Sequence, residues 1–393
     1  MISVEEGIAL VDKNTIVAKT ITITVEDALG YVLAEDMHTP VNLPPFPQSA
    51  MDGYALRLHK SLDYTVIEEV KAGDNKQPTL KAGEAVRIFT GAMVPEAADA
   101  VVMQEKTTRV ENTIILETII LKGTNIRPLG EQLQEGELAL KKGTKLSPAA
   151  VAFIAGMGIT NVVVYKKPTV GILVTGNELI AAGNPLELGQ IYEGNSIMLK
   201  TALKQAGIVE STIYRVKDDY EATCNAVAKA LKENDVLLVS GGISVGDHDY
   251  VYDALQAQNI TSVFYKVKQK PGKPLFFAKK EGKLIFALPG NPASALTCFY
   301  GYVYPGLQKV MGNSFKGLST QNLSVTAAIN NKFGRALFLK AMVNDSGEVS
   351  SLEGQSSAML SSYAVANALI YIPAEVESVA KGSLVKTLLL PTS

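Results

Sequence analysis

Three loops between Ser240 and Ser294 hold the residue types that bind phosphate: Ser240-Gly-Gly-Ile-Ser-Val-Gly-Asp247, Lys270-Pro-Gly-Lys-Pro274 and Pro289-Gly-Asn-Pro-Ala-Ser-Ala295. The first and third follow short branched apolar runs, 235–239 and 284–288, of the kind buried on both faces of a sheet. A sharp loop that leaves such a strand and opens a helix leaves backbone N–H groups free for an anion. Gly241, Gly242 and Ser244 in the first loop, and Pro289, Gly290, Asn291 and Ser294 in the third, are the candidates. The competing reading of the third loop is a well-made helix start without a ligand, with Asn291 as cap and Pro292 in the first turn. Lys266, Lys268 and Lys270 alternate along one expected strand and so share a face, with Lys273 in the turn behind them. An edge strand guarded by lysines is the alternative, preferred for Lys268.

Acids fall at the same level. Glu178 follows the strand expected at 170–174, Asp218 and Asp219 follow the one at 209–216, and Asp249 heads a helix after the first glycine loop. A hard cation bridging carboxylates and phosphates suits such a rim, and Mg²⁺ is the expected ion. Asp219 could instead cap the helix at 221–233. Earlier in the chain, Ser49-Ala-Met-Asp-Gly-Tyr-Ala55 and Phe89-Thr-Gly-Ala92 place Asp52 and Thr90 in turns that need no function. His38, His59 and His248 are scattered, with no triad or metal-ligand spacing.

These residues need an alternating scaffold, and the sequence supplies one. Strands are expected at 170–174, 209–216, 235–239, 262–267 and 284–288, and helices at 196–206, 221–233, 249–258 and 293–311. That order predicts a doubly wound, mostly parallel α/β domain with ligands beyond the carboxyl ends of its strands. A small β-rich domain is expected before it, with strands at 64–70, 85–89, 100–104 and 113–117, and a β-domain after about 318 with a turn at 344–347. The N-terminal part reads as a helix, a strand and a second helix at 25–33. A further helix at 146–158 is opened by Ser147-Pro148. The resulting division is 1–40 with 137–167, 41–136, 168–313 and 314–393.

A chain of 393 residues is too long for one core. Its net charge of −2 gives no bulk attraction to nucleic acid or an anionic membrane. The longest apolar stretch, near 151–164, is too short to cross a bilayer, and the acidic N-terminus lacks the features of a secretion signal. Cys224 and Cys298 form no framework or zinc site. A cytoplasmic protein is expected.

SAMDGYA, IFTGA, TGNEL, SGGISVGDHDY, KPGKP and LPGNPASA, in this order, resemble the molybdopterin molybdenumtransferases, the MoeA family, which includes the E-domain of gephyrin. The resemblance runs over essentially the whole chain. It implies an enzyme that inserts molybdate into adenylylated molybdopterin and releases AMP, assisted by Mg²⁺. It also implies a molybdopterin-binding α/β domain, a C-terminal β-barrel-like domain, and an elongated homodimer whose active site is shared between chains. The adenylyltransferase and apo-molybdoenzymes are implied as contacts. The family's functional positions fall on Asp52, Thr90, Arg127, Glu178, Asp219 (or Asp218), Asp249, Lys266 and Lys270. Arg127 and Thr90 suit molybdate, a dianion. Two departures are Gln132, where an acid is frequent, and Asn177, where TGDEL is common. The rival readings are a molybdopterin adenylyltransferase, which shares such an α/β domain, and a non-catalytic scaffold like the gephyrin E-domain. Against the scaffold stands the retention of the acids and lysines.

Overall fold

A computed structural model describes residues 1–243 and 250–391. The chain separates into two compact units, one of Ile23–Leu29 with Glu35–Val162, the other of Met1–Thr22, Gly30–Ala34 and Val163–Ser393.

In the first unit, strands β1 (Gly53–Leu56), β2 (Asp63–Val70), β3 (Glu84–Ile88), β4 (Ala100–Met103), β5 (Thr107–Val110) and β6 (Thr113–Leu116) form one sheet. Its order is β4-β1-β3-β2-β6-β5. Strand alternation sends Ala55, Val86, Ile88 and Val101 to one face and Tyr54, Leu56, Ala85 and Val102 to the other, and each set is buried in its own cluster. The expected strands are all present. The helix Pro148–Gly156 starts as expected, with the Ser147 hydroxyl accepting from the Ala150 N–H. The helix expected at 25–33 is absent. Asp27 N–H bonds to the Thr24 carbonyl and the Thr24 hydroxyl to the Asp27 carboxylate, so the apolar spacing there belongs to consecutive turns.

The second unit holds the α/β sheet, built from β7 (Val170–Thr175), β8 (Ser211–Val216), β9 (Val236–Ser240), β10 (Thr261–Tyr265), β11 (Phe276–Lys280) and β12 (Lys283–Leu288). The order is β8-β7-β9-β12-β11-β10. β8, β7, β9 and β12 are parallel, and β11 and β10 are added antiparallel. Ile172, Leu238 and Phe286 pack toward Leu199 and Leu203 of helix Asn195–Gln205. Leu173, Leu237 and Ile285 pack toward Val227 and Leu231 of helix Tyr220–Glu233. Both faces are covered, as a doubly wound sheet requires. The expected helix at 293–311 is continuous, with a wider π turn at Phe299–Val303 between Pro292–Cys298 and Tyr304–Val310.

β11 was not expected, and it changes the reading of the lysines. β10 ends at Tyr265, and Lys266 adopts φ 70, a left-handed conformation that breaks a strand. Lys266, Lys268 and Lys270 therefore do not share one strand face. Gln269–Lys270 instead pairs, in parallel, with Ala336–Leu337 of the C-terminal domain.

That domain is a barrel. β13 (Thr320–Val325), β14 (Ala336–Val343), β15 (Glu348–Ser351), β16 (Ala368–Ile372) and β17 (Leu384–Leu389) run in the order β14-β15-β13-β17-β16, and β14 pairs with β16 to close the ring. The turn at 344–347 joins β14 to β15, with the Glu348 N–H bonded to the Asn344 side chain. No helix among the described residues is long and apolar enough to cross a membrane.

Candidate functional site

The carboxyl ends of the four parallel strands open into a recess of about 620 Å³. β7 contributes Thr175, Gly176 and Glu178; the segment after β8 contributes Asp218; β9 contributes Ser240, Gly241 and Gly242; β12 contributes Pro289, Gly290 and Asn291. The Asn195 amide ties two of these segments to the helix that Asn195 opens, since Nδ2 donates to Ser240 Oγ at 2.9 Å and to the Gly290 carbonyl at 2.6 Å. Asn177 and Asp218 clasp each other, Asn177 N–H to Asp218 Oδ2 at 3.1 Å and Asp218 N–H to Asn177 Oδ1 at 3.2 Å. The second bond needs only a side-chain carbonyl oxygen, so an aspartate at 177 could accept it equally. Glu178 and Asp218 make no ion pair among the described residues, leaving two carboxylates at the rim.

Asp219 does not line this recess. Its carboxylate accepts from the Ala222 N–H at 2.7 Å as the cap of helix Tyr220–Glu233. The first amides of the helix after β12 are also spent, because Ala293 and Ser294 N–H both donate to the Ser357 carbonyl, at 3.1 and 3.3 Å. Ser294 is buried. Asn291 occupies the cap position but its Nδ2 donates to Ser357 Oγ at 3.1 Å rather than capping. Ser244 and Asp249 lie outside the described residues.

A second recess of about 580 Å³ shares Pro274, Pro289 and Asn291 with the first, so the two are contiguous. It is cationic, with Lys270, Lys273 and Arg335 in its lining beside Gln355, Ser356 and Ser357. The loop carrying the lysines is anchored from below by Gln269, which is fully buried. Its Nε2 donates to the Pro271 carbonyl at 2.9 Å, and its Oε1 accepts from Tyr302. The Lys270 ammonium lies 3.5 Å from the centre of the Phe333 ring, a cation–π contact in place of an ion pair. Lys266 lines neither recess; its ammonium lies 4.5 Å from the Tyr265 ring centre.

Asp52, Thr90 and Arg127 belong to the first unit. Asp52 accepts from Thr90 N–H at 2.8 Å and Thr90 Oγ1 at 2.7 Å, and these bonds lower its pKa below the ordinary carboxylate value. Arg127 pairs through Nε with Glu131 at 2.9 Å, and its strand, Ile126–Arg127, pairs with Gln48–Ser49. Gln132 contributes a backbone N–H to the Leu43 carbonyl.

Among the recess residues not singled out from the sequence are Asn195, Arg335 and Ser357. Asn195 carried a signal, a polar side chain opening a helix at the sheet edge. Arg335 carried none, because only pairing of distant segments brings it beside Lys270.

Lys270→Ala should weaken binding of an oxyanion in the cationic recess by roughly 1.5–3 kcal/mol, the range for a charge-assisted bond. Lys268→Ala should leave binding unchanged, since Lys268 is exposed and lines neither recess. Equal affinities in a titration of the two variants would remove Lys270 from the site.

Family models place the chain. The MoeA N-terminal region (domains I and II) matches residues 2–158, a probable molybdopterin binding domain matches 171–309, and the MoeA C-terminal region (domain IV) matches 322–390. A molybdopterin molybdenumtransferase of Staphylococcus epidermidis is 35% identical, over 99% of this chain and 95% of the relative. The chain belongs to the MoeA family. A MoeA relative from Haemophilus influenzae, also named molybdopterin molybdenumtransferase, is 35% identical over 92% of each chain. The crystal structure of a molybdopterin biosynthesis MoeA protein from Pyrococcus horikoshii superposes with a TM-score of 0.85 at 29% identity, covering 100% of both chains. MoeA proteins thus match this chain from its β-unit to its barrel, which disfavours the adenylyltransferase and scaffold readings.

Proposed function

We propose that this MoeA-family enzyme inserts molybdate into adenylylated molybdopterin, releasing AMP and forming the molybdenum cofactor. The contiguity of the two recesses carries this reading. The sheet-edge recess, with its glycine segments, suits the phosphorylated pterin. The cationic recess suits a tetrahedral dianion, with Arg335 able to offer a planar pair of donors and Lys270 and Lys273 adding charge. Sharing Pro274, Pro289 and Asn291 keeps the reactants adjacent, which lowers the entropic part of the barrier. Molybdate is thereby assigned to the lysine–arginine recess, while Thr90 and Arg127 remain candidates for contacts from the first unit.

The donor set at the rim fits Mg²⁺, since Glu178 and Asp218 line the sheet-edge recess with no ion-pair partner among the described residues, and Asp218 accepts a single N–H, from Asn177, through one oxygen. Asp249 is the third candidate; Asp219 fits less well because its carboxylate already caps a helix. When bound, Mg²⁺ supplies neutralisation of charge on the pyrophosphate.

Reconstitution of an apo-molybdoenzyme from adenylylated molybdopterin, low molybdate and this protein tests the reading. Activity should appear with Mg²⁺ and vanish in excess chelator. Full turnover with the metal verified absent would sink the Mg²⁺ assignment, and product from molybdopterin plus ATP without molybdate would favour the adenylyltransferase.

Family resemblance supports a cytoplasmic homodimer in which Asp52, Thr90 and Arg127 of one chain complete the recess of the other, and the four-part domain division given above. Asp52→Ala and Glu178→Ala should each be nearly inactive, yet refolded together they should regain roughly a quarter of wild-type activity. About half the products are heterodimers, each with one intact site. Verified subunit exchange with no regained activity would refute the shared site.

A further inference from the structure

Lys340 lies in the middle of β14 and is 2% exposed. A buried ammonium is costly unless its donors are all satisfied. This one has no carboxylate partner among the described residues and donates instead to three carbonyls of a single loop, Gly354 at 2.6 Å, Ser356 at 3.2 Å and Met359 at 2.9 Å. The ammonium's three protons are thereby used. Burial pulls its pKa below the usual lysine value. The Gln355 side chain fastens the same loop to the same residue, accepting from Lys340 N–H at 3.0 Å and donating to the Lys340 carbonyl at 2.8 Å.

Planar trans peptides turn this arrangement into a statement about donors. The N–H that follows each carbonyl points the opposite way. Three carbonyls drawn inward to Lys340 therefore direct the N–H groups of Gln355, Ser357 and Leu360 away from it. None of these three amides has an acceptor among the described residues. Gln355 and Ser357 line the cationic recess and Leu360 lines the sheet-edge recess.

We infer that Lys340 is a positioning residue for the oxyanion substrate: by holding the 354–360 loop with its carbonyls inward, it presents the amides of Gln355 and Ser357 to the anion beside Lys270, Lys273 and Arg335. This rests on the assignment of molybdate to that recess. Each carbonyl has a second, local donor, the Ser362 hydroxyl for Gly354 at 2.9 Å and Met359 at 3.4 Å and the Met359 N–H for Ser356 at 3.2 Å, but these act within the loop. Without the ammonium the loop loses the one donor that joins all three carbonyls to the barrel strand.

The test is the molybdate dependence of insertion in the full-length protein. Lys340→Met should raise the molybdate concentration for half-maximal rate about tenfold or more, as for loss of charge-fixed donors. The rate at saturating molybdate and the affinity for adenylylated molybdopterin should stay near wild type, and Lys340→Arg should restore most of the molybdate dependence. A role in folding alone would lower the maximal rate and pterin binding as well, and that pattern overturns the inference. Arg335→Ala serves as the control. If it raises the molybdate requirement while Lys340→Met does not, the inference about Lys340 fails alone. If neither does, the placing of molybdate fails. Should Lys340→Met not fold, hydrogen exchange of the wild type decides: saturating molybdate should slow the Gln355 and Ser357 amides, and unchanged exchange there overturns the proposal.

Discussion

Gly272→Ala should cut the rate of molybdenum insertion about a hundredfold, the cost of misplacing reacting groups by roughly an ångström. Gly272 sits between Lys270 and Lys273 at φ 91, where a side chain is strained. A Cβ there would fall 2.5 Å from Cys298 Sγ and 2.7 Å from Gln269 Nε2. Neither neighbour can retreat easily, because both are fully buried and Gln269 is bonded to Tyr302 and Pro271. The lysine loop must lift instead. Steady-state kinetics should show the loss, and Cys298→Ala in the same chain should recover part of it by removing the larger obstacle. Burial raises the Cys298 thiol pKa well above its ordinary value, so it is a spacer rather than a nucleophile. Wild-type kinetics for Gly272→Ala would show that the loop is not tied to this core.

Gly53→Ala should destabilise the first unit by about 3 kcal/mol, the upper part of the usual range for overpacking. Gly53 opens β1 and is paired with Ile88 and Met103 on its two sides. An added Cβ would overlap the carbonyl oxygen of Val102 outright and lie 2.8 Å from its carbonyl carbon. The obstruction is backbone in a sheet buried on both faces, so no rotamer change relieves it. The neighbouring Asp52→Asn should leave stability within about 0.5 kcal/mol, as an exposed position does. Denaturant titrations of the two variants check the contrast, and equal midpoints would contradict it. One short motif thus combines a packing requirement with an exposed carboxylate.

The elements most legible in the sequence were those with a local signature. Branched apolar runs gave β7, β9 and β12, and Ser147-Pro148 gave a helix start. β11 was missed because Phe276–Lys280 ends in lysines and borders the Pro-Gly-Lys-Pro loop, which reads as irregular chain. The 25–33 segment was misread as a helix because consecutive turns can bury residues at helical spacing. The sheet-edge recess was legible because strand ends and glycines mark it. The cationic recess was half legible, since Lys270 and Lys273 stand in a motif, whereas Arg335 and the 354–360 loop reach it only through barrel closure. Asp219 shows the limit of spacing arguments, for capping and metal binding ask for the same residue after the same strand.

The ladder between Gln269–Lys270 and Ala336–Leu337 also makes the recesses unequal in local stability. A partial unfolding that opens the barrel would strip the cationic recess of Arg335 and Ser357 while leaving most of the sheet edge assembled. Anion binding is therefore linked by mass action to barrel closure, and the pterin largely is not. At a hundred times its dissociation constant an anion held in that recess would oppose the opening by about 2.7 kcal/mol, and, on the proposed placing of molybdate, the cargo would clamp the C-terminal domain.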